Sequence, residues 1–200
     1  MNIPSAPESK MERCDKREAV VDAMLGVVAE YGFHGAPMAL VAERASVGAG
    51  TIYRYFEGKD AVIAACYHGL EERFLTAVME GYPEGRPVRE RFLHNATALV
   101  HHFMNSPRDL RFLQQFHDSP YGTDIRKEKL FGQGDKAPLR ELFEEGRVQQ
   151  IIKDLPLPIL FGLAFGPLMQ ICRDHAVGFL NLDDRLIAET VEACWDALKR

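Results

Sequence analysis

The chain has 200 residues, 46% of them hydrophobic, and a net charge of −5. That is enough apolar material for one or two packed domains, and the acidic balance excludes a protein drawn to nucleic acid by bulk charge alone. Residues 10–60 carry seven Lys and Arg against eight Asp and Glu, so a nucleic-acid contact there has to depend on where individual groups stand.

Residues Met1–Met11 hold Pro4, Pro7 and small polar residues and read as a mobile tail. Arg17–Tyr31 is a first helix, with Val20, Met24, Val27, Val28 and Tyr31 on one stripe and Gly32 as its stop. Pro37–Ala45 is a short second helix, Pro37 suiting a first turn that needs no N–H. Ser46 makes a turn, and Gly48 or Ala49 opens a third helix to about Phe56. A fourth runs from Lys59 or Asp60 to about Glu80, and Gly81–Gly85 breaks it. Helices follow at Pro87–Asn105 and Arg108–His117. Asp118–Lys136 is the least regular region and reads as a loop with one turn of helix at most. Ala137–Gln149 is the seventh helix. Pro158–Phe179 is the eighth, apolar almost all round and so expected to be buried on several sides. Asp184–Lys199 is the ninth. No internal repeat and no strand stands out.

Leu155–Cys172 is nearly all apolar, but Pro156, Pro158 and Pro167 interrupt it and it is short for a span of about 20 residues. A buried helix is the expectation, not a membrane span. Cys14, Cys66, Cys172 and Cys194 form no C-x-x-C pair and Met1–Lys10 has no apolar run. These features predict reduced thiols in the cytoplasm.

The most informative stretch is Ala45–Asp60, A-S-V-G-A-G-T-I-Y-R-Y-F-E-G-K-D. Val47 and Ile52 are apolar anchors. Gly48, Ala49 and Gly50 leave the backbone bare, and Thr51, Tyr53, Arg54 and Tyr55 crowd hydrogen-bonding groups into about one and a half turns. Helix, tight turn and short helix with small residues at the crossing is the arrangement of a helix-turn-helix.

Residues 41–62, V-A-E-R-A-S-V-G-A-G-T-I-Y-R-Y-F-E-G-K-D-A-V, resemble the signature of TetR-type transcriptional regulators. Val41-Ala42, Ala45, Val47, Gly50-Thr51-Ile52-Tyr53, Tyr55-Phe56 and Lys59-Asp60 fall in register with it, and the match covers about residues 15–65. Four positions depart from it. Ala36 and Pro37 stand where the family has Ser or Thr. Ser46 replaces a turn Gly, which would strain a left-handed backbone, and Gly48 replaces a Ser cap.

The resemblance implies that Ala49 and Thr51 face base edges, that Tyr53, Tyr55 and Arg54 reach phosphates or bases, and that Lys59 holds a phosphate. On a purely structural reading, Tyr53 and Phe56 are core aromatics, Arg44 is solvated, and Lys10, Arg13, Lys16 and Arg17 belong to a solvated helix start instead of a DNA-reaching arm. The resemblance also implies a body that binds a small, largely apolar effector. Phe103, Phe112, Phe116, His117, Phe165, Met169, Cys172 and Arg173 are its candidate pocket, unless they form an ordinary core.

Cys172-x-x-His175 and His101-His102 offer too few ligands for a structural metal. Gly132–Lys136 lacks the spacing of a phosphate loop. No metal or cofactor is therefore expected, and no catalytic residues.

The expected architecture is all-α, with about nine helices. Its parts are a flexible tail at 1–12, a helix-turn-helix DNA-binding domain at 13–58, and a ligand-binding and dimerisation domain at 59–200. The expected partners are double-stranded DNA carrying a pseudo-palindromic operator, an unknown small effector, and a second copy joined through 158–180 and 184–199. Gly162, Ala164 and Gly166 would permit close helix approach there, and Trp195 and Leu198 would otherwise expose apolar area. The expected function is a ligand-responsive repressor. The rivals are a helical ligand- or partner-binding protein whose head no longer reads DNA and, third, a small helical enzyme.

Overall fold

The computed structural model describes residues 10–131 and 138–200. Ten helices lie among them: α1 (Lys10–Tyr31), α2 (Met38–Arg44), α3 (Ala49–Tyr55), α4 (Lys59–Met79), α5 (Val88–Asn105), α6 (Pro107–His117), α7 (Pro120–Phe131), α8 (Pro138–Val148), α9 (Leu157–Ala176) and α10 (Asp184–Leu198). Among the described residues the only β pairing is an isolated bridge between Ile152 and Lys199. The all-α reading holds.

Most helix ends shift by one to three residues from the sequence reading, and two differences are larger. Helix α1 starts at Lys10, so residues 10–12, read as tail, are helical. Lys, Met, Glu and Arg are good helix formers and need no apolar period to extend a helix. The other difference is α7, which occupies most of the segment read as a loop. Its start is built by Ser119, a buried residue whose Oγ accepts from Gly122 N at 3.3 Å and donates to the Phe116 carbonyl at 2.6 Å. Pro120 then takes a first-turn position that lacks an N–H without loss. Ser-Pro was the available signal; among the described side chains of this helix, Tyr121 and Ile125 pack on the core. Gly132–Lys136 lies outside the described residues.

The molecule has two apolar cores. The first joins Val20, Met24, Val28, Val41, Ile52 and Phe56 to Val62, Cys66 and Leu70 of α4, and also to Phe112 and Phe116 of α6. The second is formed by α5, α8, α9 and α10 around Phe92, Phe143, Phe165 and Trp195. The first core is therefore not confined to residues 13–58. Phe116 stacks on Tyr67 of α4 at 4.5 Å, Phe112 meets Phe33 at 5.9 Å, and Gln115 donates to the Val28 carbonyl at 2.8 Å. Helices α4 and α6 thus belong both to the head and to what lies below it.

Helix α9 is not buried on several sides. Leu157, Leu160, Ala164, Phe165, Leu168 and Cys172 face the second core. Ile159, Gly162, Gly166 and Pro167 remain exposed along another face, and Phe179 just beyond the helix is 85% exposed. Trp195 and Leu198, expected to need a partner's cover, are buried within the chain itself, because α10 turns them onto Phe92 of α5.

Candidate nucleic-acid interface

The turn between α2 and α3 closes with two backbone bonds: Ser46 N donates to Glu43 O at 3.0 Å and Val47 N to Ala42 O at 3.0 Å. This is the six-to-one and five-to-two pairing of a Schellman ending. It needs a left-handed residue after the cap, and Ser46 supplies it with φ 55°. The strain expected of a non-glycine residue there is present. Gly48 caps α3 with extended backbone and no side-chain bond, as its missing hydroxyl requires.

Helix α3 is held by Ile52 inside and by Phe56 at its end, both buried, so Phe56 is a core aromatic. Arg17 of α1 lies over the Phe56 ring at 5.1 Å, which places that arginine on the head itself. The outer face of α3 carries Ala49, Gly50, Tyr53 and Arg54 exposed, with Thr51 and Tyr55 half-buried beside them. Tyr53 is 57% exposed, so it is a surface side chain and not a core one. Six residues proposed from the sequence, Ala49, Thr51, Tyr53, Arg54, Tyr55 and Lys59, occur within eleven positions on α3 and the first residue of α4.

Lys59 and Arg44 are both engaged by the protein. Lys59 Nζ donates to the Phe33 carbonyl at 2.5 Å, tying the start of α4 to the loop after α1. Arg44 makes a two-pronged pair with Glu30 at 2.7 and 2.9 Å and lies over Tyr31 at 5.9 Å, so it is an exposed side chain, as expected, that also braces α1 to α2. That pair holds the Glu30 carboxyl below its ordinary value. Tyr121 of α7 donates to Asp60 at 3.0 Å, bracing the start of α4 from the other side.

The eight candidate pocket residues do not converge. Phe112 and Phe116 sit in the head-side core. Phe103, Phe165 and Cys172 sit in the other, with Met169 packed against it. His117 and Arg173 are exposed. Stripe spacing along each helix is the same whether neighbouring helices share one core or two, so the sequence could not separate them. The three described cysteines, Cys66, Cys172 and Cys194, are buried free thiols. Burial pushes Cys66 up to about 12 and Cys172 to about 11, the reverse of what a nucleophilic thiol needs.

The body instead opens between α4 and α5, in a groove of about 610 Å³ bounded by Ala77 of α4 and Glu80 just after it and by Leu93, His94, Thr97, Ala98, His101 and His102 of α5. Behind it, three helices meet through polar side chains. Asp109 of α6, 3% exposed, accepts from Arg73 of α4 at 2.9 and 3.2 Å. His102 of α5 stands 3.8 Å from the same carboxylate oxygen. Its Nε2 has no hydrogen-bond partner among the described residues, and neither does the buried amide of Asn95. Burial, partly offset by Asp109, pulls the His102 imidazole below its ordinary pKa. None of these residues was singled out in this role. Asn95 sits between apolar Phe92, Ala96 and Leu99 on one helical stripe, which is the sequence signal that marks it.

The head is a helix-turn-helix with an exposed, polar, small-residue reading face, carried on an all-helical body; that combination defines the DNA-binding transcriptional regulators of helix-turn-helix type. Residues 20–66 match the family model of bacterial regulatory proteins of the tetR family, and residues 87–199 match that of a tetracyclin repressor-like C-terminal domain. The chain belongs to the TetR family of DNA-binding transcriptional regulators. It is 23% identical over 192 residues to an HTH-type transcriptional regulator of Haemophilus influenzae, covering 96% of this chain and all of that one. A TetR-family regulator from Marinobacter aquaeolei superposes with TM-score 0.84 at 22% identity, covering 96% and 99% of the two chains. One from Vibrio parahaemolyticus superposes with TM-score 0.74 at 30% identity, covering 92% and 99%. Regulators of this family bind operator DNA and act as dimers. Among the described residues no helix is long and apolar enough to cross a membrane.

Proposed function

We propose that the chain is a homodimeric, ligand-responsive repressor acting in the cytoplasm, whose α3 enters the major groove of a pseudo-palindromic operator. The carrying observation is the outer face of α3. Ala49 and Thr51 offer methyl groups to thymine, Arg54 offers a guanidinium to guanine or phosphate, and Tyr53 and Tyr55 offer hydroxyls. Lys59 and the α4 N-terminal amides lie where a backbone phosphate would pass. When DNA arrives, Lys59 shares its ammonium between the Phe33 carbonyl and a phosphate oxygen, since an ammonium has three donors.

The dimer forms through the exposed face of α9 and the outer face of α10. Ile159 and the small residues Gly162 and Gly166 lie on the first, Leu186 is exposed on the second, and Val177 and Phe179 extend the apolar area between them. Two such helices from each copy make a four-helix bundle. Two-fold symmetry then places the two α3 helices about one turn of DNA apart, or a multiple of it. A change in the setting of α4 and α6 alters that spacing, because both helices are built into the head core. The effector works as a population shift between spacings.

The test uses the DNA upstream of the chain's own gene. Arg54→Ala combined with Lys59→Ala abolishes specific retention of that fragment while helicity and dimerisation are unchanged. Full retention by that variant contradicts the reading and favours a head that no longer reads DNA.

A further inference from the structure

We infer that Tyr121 of α7 is a positioning residue for DNA binding, whose hydroxyl holds the Asp60 carboxylate away from the backbone phosphate assigned above to Lys59. The inference rests on that placement of Lys59 and extends it, because it gives a residue outside the helix-turn-helix a role at the DNA surface. Asp60 is the acidic residue in the first turn of α4. A carboxylate there suits the helix dipole. It also stands next to Lys59, at the helix start that meets the phosphate, and two anions at short range repel. Asp60 is exposed, so the direction of its side chain is decided by what it bonds. Tyr121 donates to Asp60 Oδ1 at 3.0 Å, which draws the carboxylate to the α7 side of the helix start and occupies one of its acceptor sites. The Tyr121 ring meanwhile lies 5.5 Å from the ring of Phe33, the residue whose carbonyl accepts from Lys59. One side chain of α7 therefore touches the residue that follows Lys59 and the residue that anchors it.

Tyr121 can hold this position because the corner before it is stiff. Ser119 Oγ donates to the Phe116 carbonyl and accepts from Gly122 N. A Cβ on Gly122 would collide with that same carbonyl, so glycine is what lets the chain pack this closely between α6 and α7. Phe116 in turn stacks on Tyr67 of α4, and Tyr121 and Ile125 pack on the head core. Tyr121 is thus fixed relative to the helix whose first turn it touches. A donor placed in advance spends little ordering entropy when it captures a mobile carboxylate.

The experiment measures binding of the full chain to the DNA upstream of its gene and to an unrelated duplex of equal length, by fluorescence anisotropy across a salt series. The proteins are the parent, Tyr121→Phe, Asp60→Asn and the double variant, each checked for folding by urea denaturation. Tyr121→Phe keeps the ring and removes only the hydroxyl. It weakens binding to both duplexes about fivefold at low salt, because a phosphate is met whatever the sequence, and the loss shrinks as salt screens the freed charge. In the Asp60→Asn background the same change alters affinity by less than about twofold, since no charge is released. The side-chain oxygen left by Asp60→Asn still accepts from Tyr121, so a hydroxyl with a merely structural role would cost as much in that background as in the parent. The inference is overturned if Tyr121→Phe binds both duplexes as the parent does, if its cost is the same in the Asp60→Asn background, or if that cost does not change with salt. A parent chain that prefers neither duplex overturns the regulatory reading alone, because the unrelated duplex still reports on Asp60. A parent chain that binds neither duplex overturns both.

Discussion

The head and the body treat polar groups in opposite ways. In the head, the braces are completed: Arg44 is held by Glu30, Lys59 by the Phe33 carbonyl, Asp60 by Tyr121, and the α2–α3 turn by two backbone bonds. In the body, Asn95 and His102 are buried with polar atoms that have no partner among the described residues. A surface that must lie flush on DNA benefits from being rigid before contact, since ordering it at the moment of binding would subtract from affinity. A junction that must respond to a small molecule benefits from an incomplete network that the ligand can complete. On the proposed reading, the contrast separates a preformed reader from a poised sensor.

The largest test of that contrast is the ring the two parts share. Phe116→Ala removes a buried aromatic stacked on Tyr67 and Phe112 and costs about 3–5 kcal/mol. Urea denaturation measures it, and DNA binding falls with it because the head loses its seat on α6. A cost below about 1 kcal/mol would show that the head packs without α6.

Next in size is the face of α9. Ile159→Asp combined with Phe179→Ser places charge and polarity on the proposed dimer surface, and sedimentation then shows a monomer at concentrations where the parent chain is dimeric. The head stays folded, since neither residue belongs to its core. A variant that remains fully dimeric would move the interface elsewhere.

Tyr53→Ala and Arg54→Ala each lower operator affinity by about 1–3 kcal/mol. Stability changes by less than about 0.5 kcal/mol, because both side chains are on the surface. Fluorescence anisotropy and thermal melting separate the two effects. If both variants bind as the parent does, α3 is not the reader.

Smaller still is Ser46→Gly. It relieves a left-handed backbone that costs a non-glycine residue about 1–2 kcal/mol, less the roughly 0.5–1 kcal/mol of extra unfolded-state entropy that glycine brings. A net gain of several tenths of a kcal/mol in the urea midpoint is expected, with operator affinity unchanged. A loss of stability would mean that the Ser46 side chain does more than tolerate the turn.

The smallest effect is a pH dependence. Burial lowers the His102 pKa in the folded chain, so the unfolded state binds the proton first as pH falls. The contribution of neutral His102 to stability is complete above about pH 6.5 and is lost below it. His102→Gln flattens the stability profile between pH 7 and 5, while the parent chain declines there. An identical decline in both would assign the acid sensitivity to another group.

How much of this was legible in the sequence follows the same division. The head was legible because its signals are local: Gly32 and Ser46 at helix ends, Gly48-Ala49-Gly50 at a crossing, and polar aromatics within one short helix. Such signals depend on residues three or four apart. The body was legible as helices but not as a site. Phe103, Phe112 and Phe165 all show the same apolar periodicity, and nothing local says that Phe112 faces the head while Phe165 faces α5 and α8. Likewise Asp109 read as an ordinary first-turn acid, and its burial depends on Arg73, 36 residues away. Trp195 showed the same limit from the other side, since an apolar stripe near a chain's end fits a partner's cover and an internal one equally well.

The most direct test of the central claim is the salt dependence of binding between the intact dimer and the DNA upstream of its gene. With a head that has no bulk positive charge, recognition through Arg54, Lys59 and the helix termini at two half-sites predicts a linear fall of log affinity with log salt, at a slope of about −0.9 for each phosphate contacted, with the Lys59→Ala slope shallower. An affinity that hardly changes between low and high salt, or an upstream fragment bound no better than unrelated DNA, would contradict it.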